Sequence, residues 1–164
     1  MSAPRRPSRG KGQSLAEFAL VLPIFLLLFF AVVDLGSAVF TFNSLTNAAR
    51  EGARLAIVNQ DNASIIARAE TQVSVAEINA PNVTIAFYNV DPTTGLPDQS
   101  STCSPAAVGC VAVVSFESTY RPLTPIIGNI LFKNGVTFKA TSILSVEYSC
   151  PNASHTAAQC PKQP

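Results

Sequence analysis

The sequence has a single histidine, His155, and it lies in the C-terminal tail. Ser–His or Cys–His catalysis would have to run from that tail. No nucleophile elbow and no phosphate-binding glycine loop is present. Asp98-Gln99-Ser100-Ser101-Thr102 has the pattern of a metal-ion adhesion motif, but it follows Gly95-Leu96-Pro97 rather than a buried strand. No C-x-x-C occurs among the four cysteines, which weighs against zinc. No Asp or Glu precedes Glu17, and no charged residue of either sign lies between Phe18 and Val33. These absences point away from an enzyme, and no cofactor or metal is expected.

Charge is scarce and unevenly placed. Four of the eleven Lys and Arg residues (Arg5, Arg6, Arg9 and Lys11) stand before position 12. Setting those four aside takes the formal net charge from +1 to −3. A nucleic-acid-binding domain would carry its basic charge on the folded part. The folded part is mildly acidic here, so no nucleic-acid partner is expected.

The cysteines are all late: Cys103, Cys110, Cys150 and Cys160. The short spacings favour Cys103–Cys110 and Cys150–Cys160. Disulfides imply an oxidising compartment. The N-terminal half points the same way. Leu15 to Val33 gives 19 residues, close to the ~20 needed to cross the hydrocarbon core as a helix. The basic excess before it predicts a cytoplasmic N-terminus and an exported remainder in a single-pass inner-membrane topology. The apolar run exceeds a signal h-region and continues through Asp34-Leu35-Gly36 without a small-x-small site, so a permanent anchor is expected. Glu17 sits at its cytoplasmic edge, where it is either an interfacial charge or paired with a neighbouring chain. Pro23 should kink the helix.

Residues 34–58 hold no proline and extend the helix as a stalk. Together, 14–58 would reach roughly 67 Å at ~1.5 Å per residue. Ser44, Ala48, Gly52 and Ala56 form a stripe of small residues, suited to packing on the chain's own domain or on another subunit. Arg50, Glu51 and Arg54 read as a solvated or partner-facing charge cluster. Beyond Asn59-Gln60-Asp61-Asn62, with its N-cap candidates, a second helix is predicted over 63–79. Strands are predicted at 83–88, 111–120 and 136–148, with a turn-rich loop at 91–98 and a short helix or crossover over 122–132. The predicted class is α+β: a long transmembrane and stalk helix, a second helix and a small antiparallel sheet. The expected organisation is a leader at 1–12, the helix at 13–58, an exported domain at 59–149 and a disulfide-stapled tail at 150–164.

Gly12 followed by Gln13-Ser14-Leu15-Ala16-Glu17-Phe18 resembles the processing site of type IV pilin-like precursors. With Ala19-Leu20-Val21-Leu22-Pro23, Asp34-Leu35-Gly36 and Asn47-Ala48-Ala49-Arg50-Glu51-Gly52-Ala53-Arg54, the stretch resembles the TadE-like pseudopilins of the tight-adherence (Flp) pilus system. The resemblance implies a pilin-like fold and cleavage by a prepilin peptidase after Gly12. It implies Gln13 as the mature N-terminus and Glu17 pairing with a neighbouring subunit's new amino group. Expected partners are the lipid bilayer, the peptidase, other pilins or pseudopilins and the pilus assembly platform. The function implied is a minor subunit or assembly factor. The alternative is a membrane-tethered extracytoplasmic binding module outside any filament.

Overall fold

The computed structural model describes residues 10–73, 82–122, 124, 128, 135–152 and 154–161. It is α+β. Helix α1 (Gly10–Ala56) is followed by α2 (Asn62–Glu70) and by strands β1 (Val83–Val90), β2 (Pro97–Thr102), β3 (Val111–Tyr120) and β4 (Val136–Ser145). The sheet is antiparallel throughout, in the order β2-β1-β3-β4.

α1 is 47 residues long, roughly 70 Å at ~1.5 Å per residue. It starts at Gly10, inside the expected leader, because a nucleated helix extends at little cost per residue. It ends two residues before the expected 58. Ile57 and Val58 form a turn, closed by the Asn59 N–H donating to the Leu55 carbonyl at 2.8 Å. Pro23 lies inside the helix.

The core lies between the C-terminal half of α1 and one face of the sheet. α1 packs on β3 and β4, and α2 packs on α1. Ala112, Val114 and Phe116 alternate inward from β3 and are fully buried. They meet Leu45, Ala48, Ala49, Ala53 and Ala56 of α1 and Ile65 and Ala69 of α2. The small residues of α1 let the sheet come close. A Cβ on Gly52 would stand 3.3 Å from both Phe116 Cε2 and Val114 Cγ1, and 3.5 Å from Ala69 Cβ. A larger side chain here must displace well-packed groups, which costs about 1–3 kcal/mol. Gly52→Leu is therefore expected to lower the domain's denaturation midpoint in the full chain, while the same change at exposed Asn47 leaves it unaltered.

α2 is shorter than predicted. Asp61 is its N-cap, its carboxylate accepting from the Ser64 N–H at 3.0 Å and hydroxyl at 2.6 Å. Thr71 ends it, and Ile65 and Ala69 form its buried face. Residues 74–79 of the predicted helix lie outside the described residues.

β2 was not foreseen. Its residues, Pro-Asp-Gln-Ser-Ser-Thr, are turn formers, yet they pair with β1 at the sheet edge. An edge strand needs few apolar side chains and tolerates proline at its first position. The register shifts between Tyr88 and Asn89, where Asn89 Nδ2 donates to Ser101 Oγ at 2.7 Å. β3 has its predicted bounds. β4 ends at Ser145, not 148; of the apolar residues expected on its inner face, Ala140 and Val146 are buried, while Leu144 and Tyr148 are exposed.

Both cysteine pairs are bridged, Cys103–Cys110 and Cys150–Cys160. The second fastens the tail to the α1–α2 turn. The Gln60 N–H donates to the Cys150 carbonyl at 2.7 Å, and the Cys150 N–H donates to Gln60 Oε1 at 2.6 Å. Fully buried Asn59 donates from Nδ2 to the Pro161 carbonyl at 2.9 Å.

Candidate functional site: the apolar helix and its junction

The N-terminal half of α1 is unlike the rest of the molecule. From Gly12 to Val33 every side chain is exposed except Ala31, which is half-buried. Leu15, Phe18, Leu20, Ile24, Phe25 and Leu28 have no domain to pack on. Leaving so many large apolar groups in water would forfeit about 25 cal/mol per Å² of apolar surface. Among the described residues, this is the one helix long and apolar enough to cross a membrane.

Gly12 and Gln13 lie in the first turns of this helix, exposed. Glu17 is one turn on, and Gln13 Nε2 donates to Glu17 Oε1 at 3.4 Å. This brings the expected mature N-terminus and the carboxylate onto one face.

The small-residue stripe goes elsewhere. Ser44, Ala48, Gly52 and Ala56 are buried against the chain's own sheet and α2, and Ser44 Oγ donates to the Gln72 carbonyl at 3.3 Å. Of the two packings expected for it, the fold uses the intramolecular one. The Arg50–Glu51–Arg54 cluster divides in the same way. Glu51 turns toward α2 and pairs with Arg68, whose Nε donates to Glu51 Oε1 at 3.0 Å, and with Arg54 at 3.6 Å. Arg50 and Arg54 are exposed.

Sequence reasoning missed the junction at the top of the apolar run. Asp34 is the first charge after sixteen uncharged residues, and it is only 5% exposed. The Tyr120 hydroxyl donates to the Asp34 backbone carbonyl at 2.9 Å, and the Thr124 N–H donates to Asp34 Oδ2 at 3.3 Å. Tyr120 stacks on Phe138, which makes an edge contact with Phe42. The end of β3 is thus tied to the helix where its apolar run stops. A lone carboxylate closing such a run was the available signal. Its partners are some ninety residues away in sequence, so no local pattern could name them.

Burial, and next the Asp34 carboxylate, push the Tyr120 phenol above its ordinary value near 10, against the lowering effect of Ser37. A raised folded-state value means that the unfolded chain gives up this proton first. The stabilising contribution is complete below pH about 10 and is lost as pH rises through the folded value. Denaturation midpoints of the full chain in detergent, followed from neutral to strongly alkaline pH, are expected to fall faster for the native chain than for Tyr120→Phe.

The other motif singled out in the sequence is local structure. Asp98 Oδ1 accepts from the Ser100 N–H at 3.0 Å and hydroxyl at 2.7 Å within β2. Among the described residues, no group of three or more His, Cys, Asp or Glu side chains is placed to hold a metal ion.

The family model described as TadE-like protein matches residues 12–54. The match falls on α1, from the first turn to the core-packing stripe, and stops short of α2 and the sheet. It is the family that the Gly12–Glu17 segment and the Asn47–Arg54 block resemble. It points to the tight-adherence (Tad) pilus system and agrees with one N-terminal apolar helix of membrane-spanning length. No curated protein and no solved structure matches the chain.

Proposed function

We propose that the chain is a pseudopilin-like minor subunit or assembly factor of a tight-adherence pilus, working through helix assembly rather than catalysis. α1 anchors it in the cell membrane with the N-terminus cytoplasmic and the stapled α+β domain outside. A prepilin peptidase hydrolyses the Gly12–Gln13 peptide bond and frees a new amino group at Gln13. The Glu17 carboxylate, one turn along, then pairs with that group on a neighbouring subunit, a favourable exchange in a medium where a lone charge is expensive. The bare apolar surface of residues 13–33 supplies the lateral contact, first with lipid and then with other helices.

The observation that carries this reading is the Gly12–Glu17 spacing at the head of an apolar helix with no intramolecular cover, inside the segment the TadE-like model matches. The test is the N-terminus itself. Co-expression with a prepilin peptidase is expected to yield chains beginning at Gln13 by intact-mass spectrometry. Gly12→Ala, or omission of the peptidase, is expected to leave the uncleaved end. An uncleaved end in the presence of active peptidase would sink the processing step and favour a tethered binding module. Glu17→Gln should be cleaved normally yet fail to co-purify with its partner pilins.

A further inference from the structure

We propose that the foot of the exported domain, the corner where Asp34 meets Tyr120 and Thr124, sits in the outer headgroup layer of the bilayer, with the protein rather than water shielding the Asp34 carboxylate from lipid. This rests on the membrane-anchored reading above and adds where the anchor ends and what covers its upper turns.

The two faces of α1 change polarity at different heights. On the face toward the sheet the apolar run stops at Asp34. On the opposite face it continues: Leu35 is 66% exposed, Val39 52% and Phe40 53%. The first exposed polar side chains after Phe40 are Asn43 and Asn47, followed by Arg50. The hydroxyls in between do not call for water, because Ser37 donates to the Val33 carbonyl at 3.0 Å and Thr41 to the Ser37 carbonyl at 2.9 Å.

Length then decides between water and lipid. Leu15 to Phe40 is 26 residues, roughly 39 Å of helix. That exceeds the ~30 Å hydrocarbon core and approaches the ~40–45 Å bilayer with its headgroup layers. Asp34 lies six residues below Phe40, about 9 Å, and so at the hydrocarbon edge. A carboxylate at that depth needs protein partners. The Thr124 N–H supplies one, and the corner that carries it leaves the side chain 5% exposed.

The corner itself suits the headgroup layer. Arg121 is exposed beside Tyr120, a cation at the level of lipid phosphates, and long basic side chains settle there. Tyr120, stacked on Phe138 and linked through it to Phe42, is one of the two residue types that form the aromatic belts of membrane proteins.

The chain contains no tryptophan, so single-tryptophan variants report depth without background. The full chain would be reconstituted at high dilution in phosphatidylcholine vesicles brominated either near the headgroup or near the acyl terminus. Phe25→Trp is the anchor control and should be quenched most by terminal bromine. Phe40→Trp and Arg121→Trp are expected to be quenched severalfold more by headgroup-proximal than by terminal bromine, and Asn47→Trp by neither. Quenching at Phe25 with none at Phe40 or Arg121 would overturn the inference and leave the anchor intact. Absence of quenching at Phe25 would overturn both. A Phe40→Trp signal blind to bromine that shifts blue as protein density rises would show a second copy on this face, and the inference would fall.

Discussion

Phe116→Ala is expected to destabilise the exported domain by about 3–5 kcal/mol, the usual cost of truncating a buried aromatic residue. Phe116 is fully buried at the centre of β3 and lies against Gly52 of α1. Its register partners are Val83 of β1 and Ala140 of β4, so its ring lies near the middle of the sheet. Collapse into the vacated space is resisted on both sides. At Gly52 the α1 wall offers no side chain to swing in. The sheet wall is held by the β1 and β4 ladders. For a domain of this size each kcal/mol is worth roughly 4–8 °C, so the midpoint should fall by well over ~10 °C. Thermal scans of the full chain in detergent, read in the tyrosine near-ultraviolet dichroism, check this. A drop no larger than that of Ile143→Ala, on the exposed face of β4, would show that the helix–sheet contact is not the core.

The second large effect is expected at the tail. Replacing Cys150 and Cys160 together by serine should cost about 3 kcal/mol from loop closure alone. The Cys103–Cys110 bridge closes a loop of similar size, and chain entropy distinguishes the two by only a few tenths. Packing makes the larger difference. Cys150 is fully buried, and its backbone exchanges both hydrogen bonds with Gln60. Cys103 is half-buried beside a surface loop. The Cys150/Cys160 variant should therefore lose protease resistance from the tail inward and expose the α1–α2 turn, where Asn59 would lose the Pro161 carbonyl. The Cys103/Cys110 variant should show the smaller shift. Equal shifts for both pairs would mean that the tail contacts add nothing to closure.

The elements legible in the sequence share a physical reason: their signal is contained in a contiguous window. The uncharged run from Phe18 to Val33 is readable because crossing a bilayer is a local requirement on composition. β3 has its predicted bounds because nine of its ten residues are β-branched, aromatic or small, and no breaker interrupts them. The pairing of each cysteine with its near neighbour followed from short spacing, and the fold brings both pairs within bridging distance. The elements that were missed depend on partners. β2 is a strand because β1 offers an unpaired edge, not because its own residues prefer one. α2 stops at Glu70, with Thr71 as its C-cap, although apolar residues recur beyond it; its buried residues are Ile65 and Ala69. Leu144 is exposed although it pairs with buried Ala112, and beyond the last ladder pair at Ser145 Val146 is buried while Tyr148 is exposed, so burial there follows neighbours and not the sequence pattern.

By itself, the sequence determined a long apolar helix, its basic leader, the Gly12–Glu17 spacing and an α+β domain after it. Each of these is set by composition or by short-range periodicity. Only the tertiary structure decided what the helix does along its length. Its small-residue stripe could serve its own domain or another subunit, and the close approach of β3 and α2 commits it to its own core. Residues 13–33 keep a bare surface, as do Leu35, Val39 and Phe40 on the face away from the sheet. The structure also converted Asp34 from the end of a hydrophobic run into a buried joint, because its partners, Tyr120 and Thr124, come near only when β3 folds back onto α1.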